Sequence, residues 1–90
     1  MPWTVTEEKK YKKNVDKLGE AELRKVNEWT DYVEQNNTSP SEAAKVLGYK
    51  VGPGPKPYYE FYAGSYHRVF FTSDGTKLVL TLHDVGHVRD

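Results

Sequence analysis

An α+β domain, with an N-terminal strand and a helical hairpin packed on an antiparallel β-meander, is the architecture this sequence predicts. Three features carry the prediction. Apolar residues recur at helical spacing as far as Leu47 and at alternate positions from Tyr58 onward. Residues 39–42, SPSE, form a capping box with proline at the first helical position. Asp74 and Gly75, set between two alternating runs, are a strong hairpin signal.

Residues 3–6, WTVT, are β-rich and alternating, which predicts a short first strand leading directly into a helix. Thr6 is expected to cap that helix, with Glu7 and Glu8 in its first turn, where the helix dipole favours acid. Tyr11, Val15 and Leu18 line its inner face, and Gly19 closes it. In residues 20–35, Leu23, Val26, Thr30 and Val33 share one side and Trp29 widens the buried stripe, so the two helices form an antiparallel hairpin. A short third helix runs from the capping box through Ala43, Ala44 and Val46 to Leu47 and stops at Gly48. Residues 51–57, VGPGPKP, hold three prolines and two glycines, which predicts an exposed connector outside any sheet or helix. Three strands follow, over residues 58–62, 65–72 and 77–83.

Ninety residues make one small domain spanning 1–90, so scaffold and site share the same elements and any site is shallow. No apolar run is long enough for a signal sequence or a membrane span, which places the expected protein in the cytoplasm, away from membranes. The absence of cysteine removes disulfides, thiolate metal sites and thiol catalysis. Thirteen basic residues against thirteen acidic ones argue against binding nucleic acid through a large uniform positive field and leave room only for local basic patches. Five lysines within residues 7–17 read as the solvated face of a helix, with a phosphate-contacting ridge as the alternative.

All three histidines, His67, His83 and His87, fall within residues 65–87, the one local concentration of possible chemistry. A two-residue loop at Asp74 and Gly75 pairs Phe71 with Leu78, Val69 with Leu80 and His67 with Leu82, and residues opposite each other share a face. Val69, Phe71, Leu78, Leu80 and Leu82 then form a hydrocarbon face that packs on the helices. The other face holds Tyr66, Arg68, Phe70, Val79, Thr81 and His83, and an equally tight turn at Ala63 and Gly64 adds Tyr59 and Phe61. Such a face suits unstacked bases and phosphates, or a peptide laid across the sheet; cover by a terminal segment or a subunit is the plainer alternative. His67 fits a satisfied edge histidine with Glu60 as its structural partner, and Tyr58 and Tyr62 fit packing roles. His83, Asp84 and His87 carry metal donors, but their spacing matches no metal motif, and no nucleophile elbow marks a hydrolase, so neither metal nor cofactor is expected.

The order β, α, α, β, β, β, with YHRVFF on a central strand and LVLTLHDVGHVRD after the hairpin, resembles the RelE/ParE superfamily of bacterial toxins. The likeness spans nearly the whole chain: it is strongest from Tyr66 to Arg89, moderate at Leu47 and Gly48, and topological in the helices. It implies a RelE/ParE-like toxin paired with a cognate antitoxin protein. RelE-like members of the family enter the ribosome and cleave mRNA by acid/base chemistry without metal, while ParE-like members inhibit DNA gyrase without catalysis. By this resemblance Arg68 stabilises phosphate, and His83, His87 and Arg89 supply protons or positive charge. Tyr59, Phe61 and Tyr66 are the expected RNA contacts. The chain also departs from the family. Lysines that face the strand arginine in many cleaving members are matched here to Tyr59 and Phe61, and the base-stacking tyrosine of many relatives lies past the position of Asp90. Charge is balanced where ribosome-directed members are basic. The expected activity is ribosome-dependent endoribonuclease, with a gyrase inhibitor and a nontoxic binding module as alternatives.

Overall fold

In the computed structural model, which describes residues 2–87, the chain forms β1 (Thr4–Glu7), α1 (Lys9–Asn14), a 3-10 turn (Val15–Lys17), α2 (Glu20–Asn36) and α3 (Pro40–Leu47). Four strands follow: β2 (Val51–Pro53), β3 (Tyr59–Tyr62), β4 (His67–Asp74) and β5 (Val79–His87). The strands make one mixed sheet in the order β1-β5-β4-β3-β2, with β1 parallel to β5 and the other pairs antiparallel. The architecture is α+β as expected, but the sheet has five strands where a three-stranded meander and a separate first strand were predicted.

The first strand runs further than its β-rich residues suggested. The Glu8 N–H donates to the Leu82 carbonyl at 2.9 Å, which keeps the chain on the edge of β5 through Glu7. Thr6 therefore pairs with Thr81 instead of capping α1, Glu7 lies in the strand, and Glu8 occupies the cap position without a side-chain cap bond. The first helix is short for the same reason and gives way to the 3-10 turn before Gly19. Gly19 instead precedes α2, where its N–H is bonded by Glu22 Oε1 at 2.8 Å. At α3 Ser39 caps the helix as predicted, its Oγ accepting the Glu42 N–H at 3.2 Å, but the return bond from the Glu42 side chain that completes a capping box is not made; Gly48 ends the helix at φ 79°. Val46 points outward and is 57% exposed.

Proline was expected to keep residues 51–57 out of the sheet, yet Val51, Gly52 and Pro53 pair with Phe61, Glu60 and Tyr59. They form the outermost strand, where the lack of an N–H at Pro53 is tolerated because only one side of an edge strand bonds to a neighbour. The β4–β5 loop has four residues, not two. Asp74 Oδ1 accepts the N–H groups of Thr76 and Lys77 at 2.9 and 3.0 Å, and Leu78, at φ 58°, turns back so that its carbonyl accepts the Thr4 N–H at 3.0 Å. Phe71 thus pairs with Leu82 and Thr72 with Thr81. The partner shifts by an even number of residues, so Phe71, Leu80 and Leu82 keep the face expected of them. Past that point the register slips: Phe70 pairs with Asp84 and Val69 with Val85, leaving His83 as the extra residue of a β-bulge.

The core sits between the helices and one face of the sheet. Trp29 is fully buried, stacked on Phe61 at 4.2 Å and edge-on to Phe71 at 5.0 Å, and its indole N–H donates to the Pro40 carbonyl at 2.9 Å. Val26 and Val33 from α2, Tyr11 from α1 and Val69, Leu80, Leu82 and Val85 from the sheet complete it. α1 lies along β5, whereas α2 lies against α3 and β1. The opposite face of β3, β4 and β5 is only half-buried. Among the described residues, no helix is long and apolar enough to cross a membrane.

Candidate functional site

Which residues share the half-buried face with Arg68 depends on the β3–β4 loop. Four residues, 63–66, lie between the strands, and the ladder runs Tyr62 with Arg68, Phe61 with Val69, Glu60 with Phe70 and Tyr59 with Phe71. Relative to a two-residue turn this shift is odd, and an odd shift moves every side chain to the other face. Phe61 is therefore not an RNA contact; it is fully buried beneath Trp29. Tyr59, half-exposed, leans on Phe71 at 5.9 Å on the helix side. Tyr62 and Glu60 take the places expected of these two, and Glu60 faces away from His67.

Arg68 is held in place by its own loop. Its Nη1 donates to the Gly64 and His67 carbonyls at 2.6 and 3.0 Å, and its guanidinium carbon lies 3.9 Å from the centroid of the Tyr62 ring. Among the described residues it forms no ion pair. Next along β4, Phe70 lies across Gly86: a Cβ at residue 86 would sit 2.5 Å from Phe70 Cε2, so only glycine leaves room for the ring. Tyr58 packs beside it, 6.4 Å from Phe70 and 4.9 Å from His83.

The bulge sets His83 out over the same face. Its Nε2 is 2.7 Å from Thr72 Oγ1 and its Nδ1 is 4.0 Å from Glu8 Oε1. Asp84 is turned to the scaffold, where it accepts from Asn14 Nδ2 and from the Val85 N–H, both at 2.8 Å. One depression gathers His83, Tyr58, Phe70, Glu8, Lys9 and Lys10; a second gathers Arg68, Tyr62, Glu60, Phe70 and Gly86. Phe70 and Pro55 form the ridge between them. At about 3.3 Å per strand residue, Thr72 and the imidazole it binds lie roughly 13 Å along β4 from Arg68.

The other candidates fall elsewhere. His67 Nδ1 meets both carboxylate oxygens of Glu22 at 2.9 and 3.0 Å, so it is the satisfied histidine expected, with Glu22 and not Glu60 as its partner. Burial raises the Glu22 pKa, but the Gly19 and His67 bonds and the charges of His67 and Lys25 outweigh it and hold the carboxyl below its ordinary value. His87 is directly opposite His67, ring centroids 4.6 Å apart, and it also borders the depression around Arg68. Tyr66 is 68% exposed in the β3–β4 loop. Arg89 lies outside the described residues. Among the described residues no three His, Asp or Glu side chains come together as a metal site.

Tyr62, Glu60, Tyr58, Thr72, Lys9 and Lys10 belong to this surface; from the sequence, Tyr58 and Tyr62 were expected to pack, Glu60 to partner His67 and the lysines to form a solvated face or phosphate-contacting ridge, and Thr72 was not singled out. One signal for the first two was legible: in YEFY the charged Glu60 sits between Tyr59 and Phe61, which marks those aromatics as one face and Glu60 with Tyr62 as the wetter one.

No family model matches the chain, and no curated protein was found similar to it. Solved structures are similar. The RelE–RelB complex of the archaeon Pyrococcus horikoshii OT3 aligns with a TM-score of 0.68 at 19% identity, over 97% of this chain and 96% of that one. The RelBE2 toxin–antitoxin complex of Mycobacterium tuberculosis aligns at 0.60 and 14% identity, over 98% and 100%. A metal-bound toxin from Helicobacter pylori aligns at 0.53 and 16% identity, over 94% and 93%. The chain has the fold of RelE toxins.

Proposed function

We propose that this chain is the toxin of a toxin–antitoxin pair and that it cleaves messenger RNA on the ribosome from the open face of its sheet. The observation that carries the proposal is the row Arg68, Phe70, Tyr58, His83: a cation stacked on Tyr62, two rings able to take unpaired bases, and an imidazole, all on a face the helices leave uncovered. Basic groups beside aromatic rings are what single-stranded RNA binding uses. Two of the similar structures are complexes of RelE-type toxins with RelB-type proteins, which supports an antitoxin as partner.

The chemistry centres on His83. In the tautomer in which Nε2–H donates to Thr72 Oγ1, Nδ1 carries the lone pair and accepts the proton of an RNA 2′-hydroxyl. As that oxygen bonds phosphorus the P–O5′ bond breaks, and the proton returns to the leaving 5′-oxygen, giving a 2′,3′-cyclic phosphate and a 5′-hydroxyl. Lys9 and Lys10, in the same depression, offset charge on the phosphorane. Arg68, about 13 Å away along the strand, holds a neighbouring phosphate. Tyr58 and Phe70 stack the bases in place of Tyr59 and Phe61, two of the three expected RNA contacts, and the exposed Tyr66 and His87 contact the RNA at the rim.

Induced expression in bacteria, with growth and primer extension read for the parent, His83→Ala and Arg68→Ala, tests this. The parent arrests growth with cuts in translated messages. His83→Ala lowers cutting by about 10²- to 10⁴-fold, and Arg68→Ala weakens RNA binding. Cuts undiminished in His83→Ala overturn the mechanism, and no arrest overturns the toxin reading. Glu60, a carboxylate beside Arg68 where a phosphate must pass, favours a second reading as a noncatalytic gyrase inhibitor; arrest without cuts selects it.

A further inference from the structure

Arg68 borders a second cavity, on the β3–β4 loop side, that the proposed reaction does not use. Lys25 from α2 and Lys50, next to β2, line it together with Arg68, Tyr49 and Tyr62. Its position follows from the fold. The Tyr62 N–H donates to the Lys50 carbonyl at 3.0 Å, and Lys25 Nζ stands 5.6 Å from the centroid of the Tyr49 ring. In a chain whose charges balance overall, three cations converge here, and among the described residues no acidic side chain lines the cavity. The depressions around His83 and Glu60 do include carboxylates. Two carboxylates of α2 stand behind the lining: Glu22, held by His67, packs beside Gly64 and feels the charge of Lys25, and Glu28 is bonded to the Tyr49 hydroxyl. Neither Lys25, Lys50 nor Arg68 forms an ion pair among the described residues.

We infer that this cavity is a second phosphate subsite, taking a backbone phosphate of single-stranded RNA on the far side of Arg68 from His83. The inference rests on the RNA reading above for its ligand, and on the cation cluster alone for its affinity for phosphate. Cations that are not tied up in an ion pair lower the free energy of a phosphodiester brought among them, and Tyr49 and Tyr62 supply faces for the flanking base or ribose. The strand then runs from His83 over Phe70, past Arg68, to Lys25 and Lys50, which extends the footprint beyond the cleavage position.

Two measurements on the folded chain test it. In an NMR titration with inorganic pyrophosphate, the amides of Gly48, Lys50 and Ser65 shift in the parent and not in Lys25→Gln/Lys50→Gln; absence of these shifts in the parent overturns the subsite without bearing on His83. In a fluorescence-anisotropy titration of a single-stranded RNA oligomer at several salt concentrations, loss of this one phosphate contact in Lys25→Gln/Lys50→Gln lowers the slope of log K against log salt by about 0.7. Lys17→Gln/Lys45→Gln, an equal change in charge at exposed positions, leaves the slope unchanged. An equal drop in both double variants overturns the subsite as an RNA contact. A parent that binds no RNA overturns the RNA assignment and the proposed function together, even where pyrophosphate binds.

Discussion

Replacing Gly64 by alanine should destabilise the fold through one carboxylate. An ideal Cβ at residue 64 lies 2.0 Å from Glu22 Oε2, 2.9 Å from Cδ and 3.1 Å from Cγ. The backbone there is not in the left-handed region, so the cost arises from the contact and not from the conformation. To reach van der Waals distance the carboxylate must retreat by more than an ångström, and it cannot do so while keeping bonds of 2.8 Å to Gly19 and 2.9 Å to His67. Hydrogen bonds to charged groups contribute about 1.5–3 kcal/mol each. Glu22 is 19% exposed and regains part of this from water, and alanine returns about 0.4–1 kcal/mol by restricting the unfolded chain. The net loss is about 1–2 kcal/mol, or a Tm lower by roughly 5–15 °C for a domain of this size. Thermal unfolding of the parent, Gly64→Ala, Glu22→Ala and the double variant at pH 7 measures it. With Glu22 removed, alanine at 64 should cost nothing or stabilise slightly; an equal loss in both backgrounds refutes the reasoning. The sign of the pH dependence gives a second check. The folded pKa of Glu22 is lowered, so its contribution is complete above its ordinary value of 4.5 and fades as pH falls through the folded value. The gap between parent and Gly64→Ala should therefore narrow in acid.

Two further outcomes follow from the packing. Gly86→Ala drives a methyl group into the end of the Phe70 ring, which is half-exposed and can swing away, so stability should fall by only about 1 kcal/mol; RNA affinity should fall further than stability predicts, as read by anisotropy alongside urea unfolding. Tyr11, buried and close to Glu7, has its phenol pKa pushed up to about 12, first by burial and then by that carboxylate. Ultraviolet titration should resolve Tyr11 as a late tyrosine. Because the folded value is the higher one, its contribution is intact below pH 10 and roughly 2–3 kcal/mol of it is lost by pH 12.

What the sequence made legible were features set by local chemistry. Ser39 caps α3, Gly48 ends it, and Val26, Trp29, Thr30 and Val33 form the buried stripe of α2, all from residues within a few positions of one another. The face of β4 toward the core was legible because the polar Arg68 and Thr72 set the parity of the other face, leaving Val69 and Phe71 on the apolar one. Loop lengths were not. At Asp74 the even change in pairing did no harm to the facial assignment; at Ala63 and Gly64 the odd one exchanged Tyr59 and Phe61 for Glu60 and Tyr62. Residues 63–66 carry no strong turn signature, and their course is tied down by groups far away in sequence. Glu22 fills the space beside Gly64, and Arg68 takes its carbonyl. Edge pairing of Val51–Pro53 was hidden in the same way, since composition reports proline but not whether the strand has one neighbour or two.

The β-bulge is the step at which fold and chemistry become one problem. Along β5, Leu80 and Leu82 are buried at a spacing of two, but the next buried residue is Val85, three further on. Strict alternation would have buried Asp84 and exposed Val85, a carboxylate in hydrocarbon against an apolar side chain in water, so hydrophobic and desolvation terms both favour inserting one residue. The residue displaced is His83. Released from pairing, its imidazole reaches Thr72 Oγ1 and the cap of α1 near Glu8, while the restored alternation sets Gly86 beneath Phe70. Bulges commonly re-aim a side chain in this way. Here the burial of Val85 fixes where the His83 imidazole stands, and the spacing Leu82 to Val85 is the sequence mark by which such a bulge is recognised.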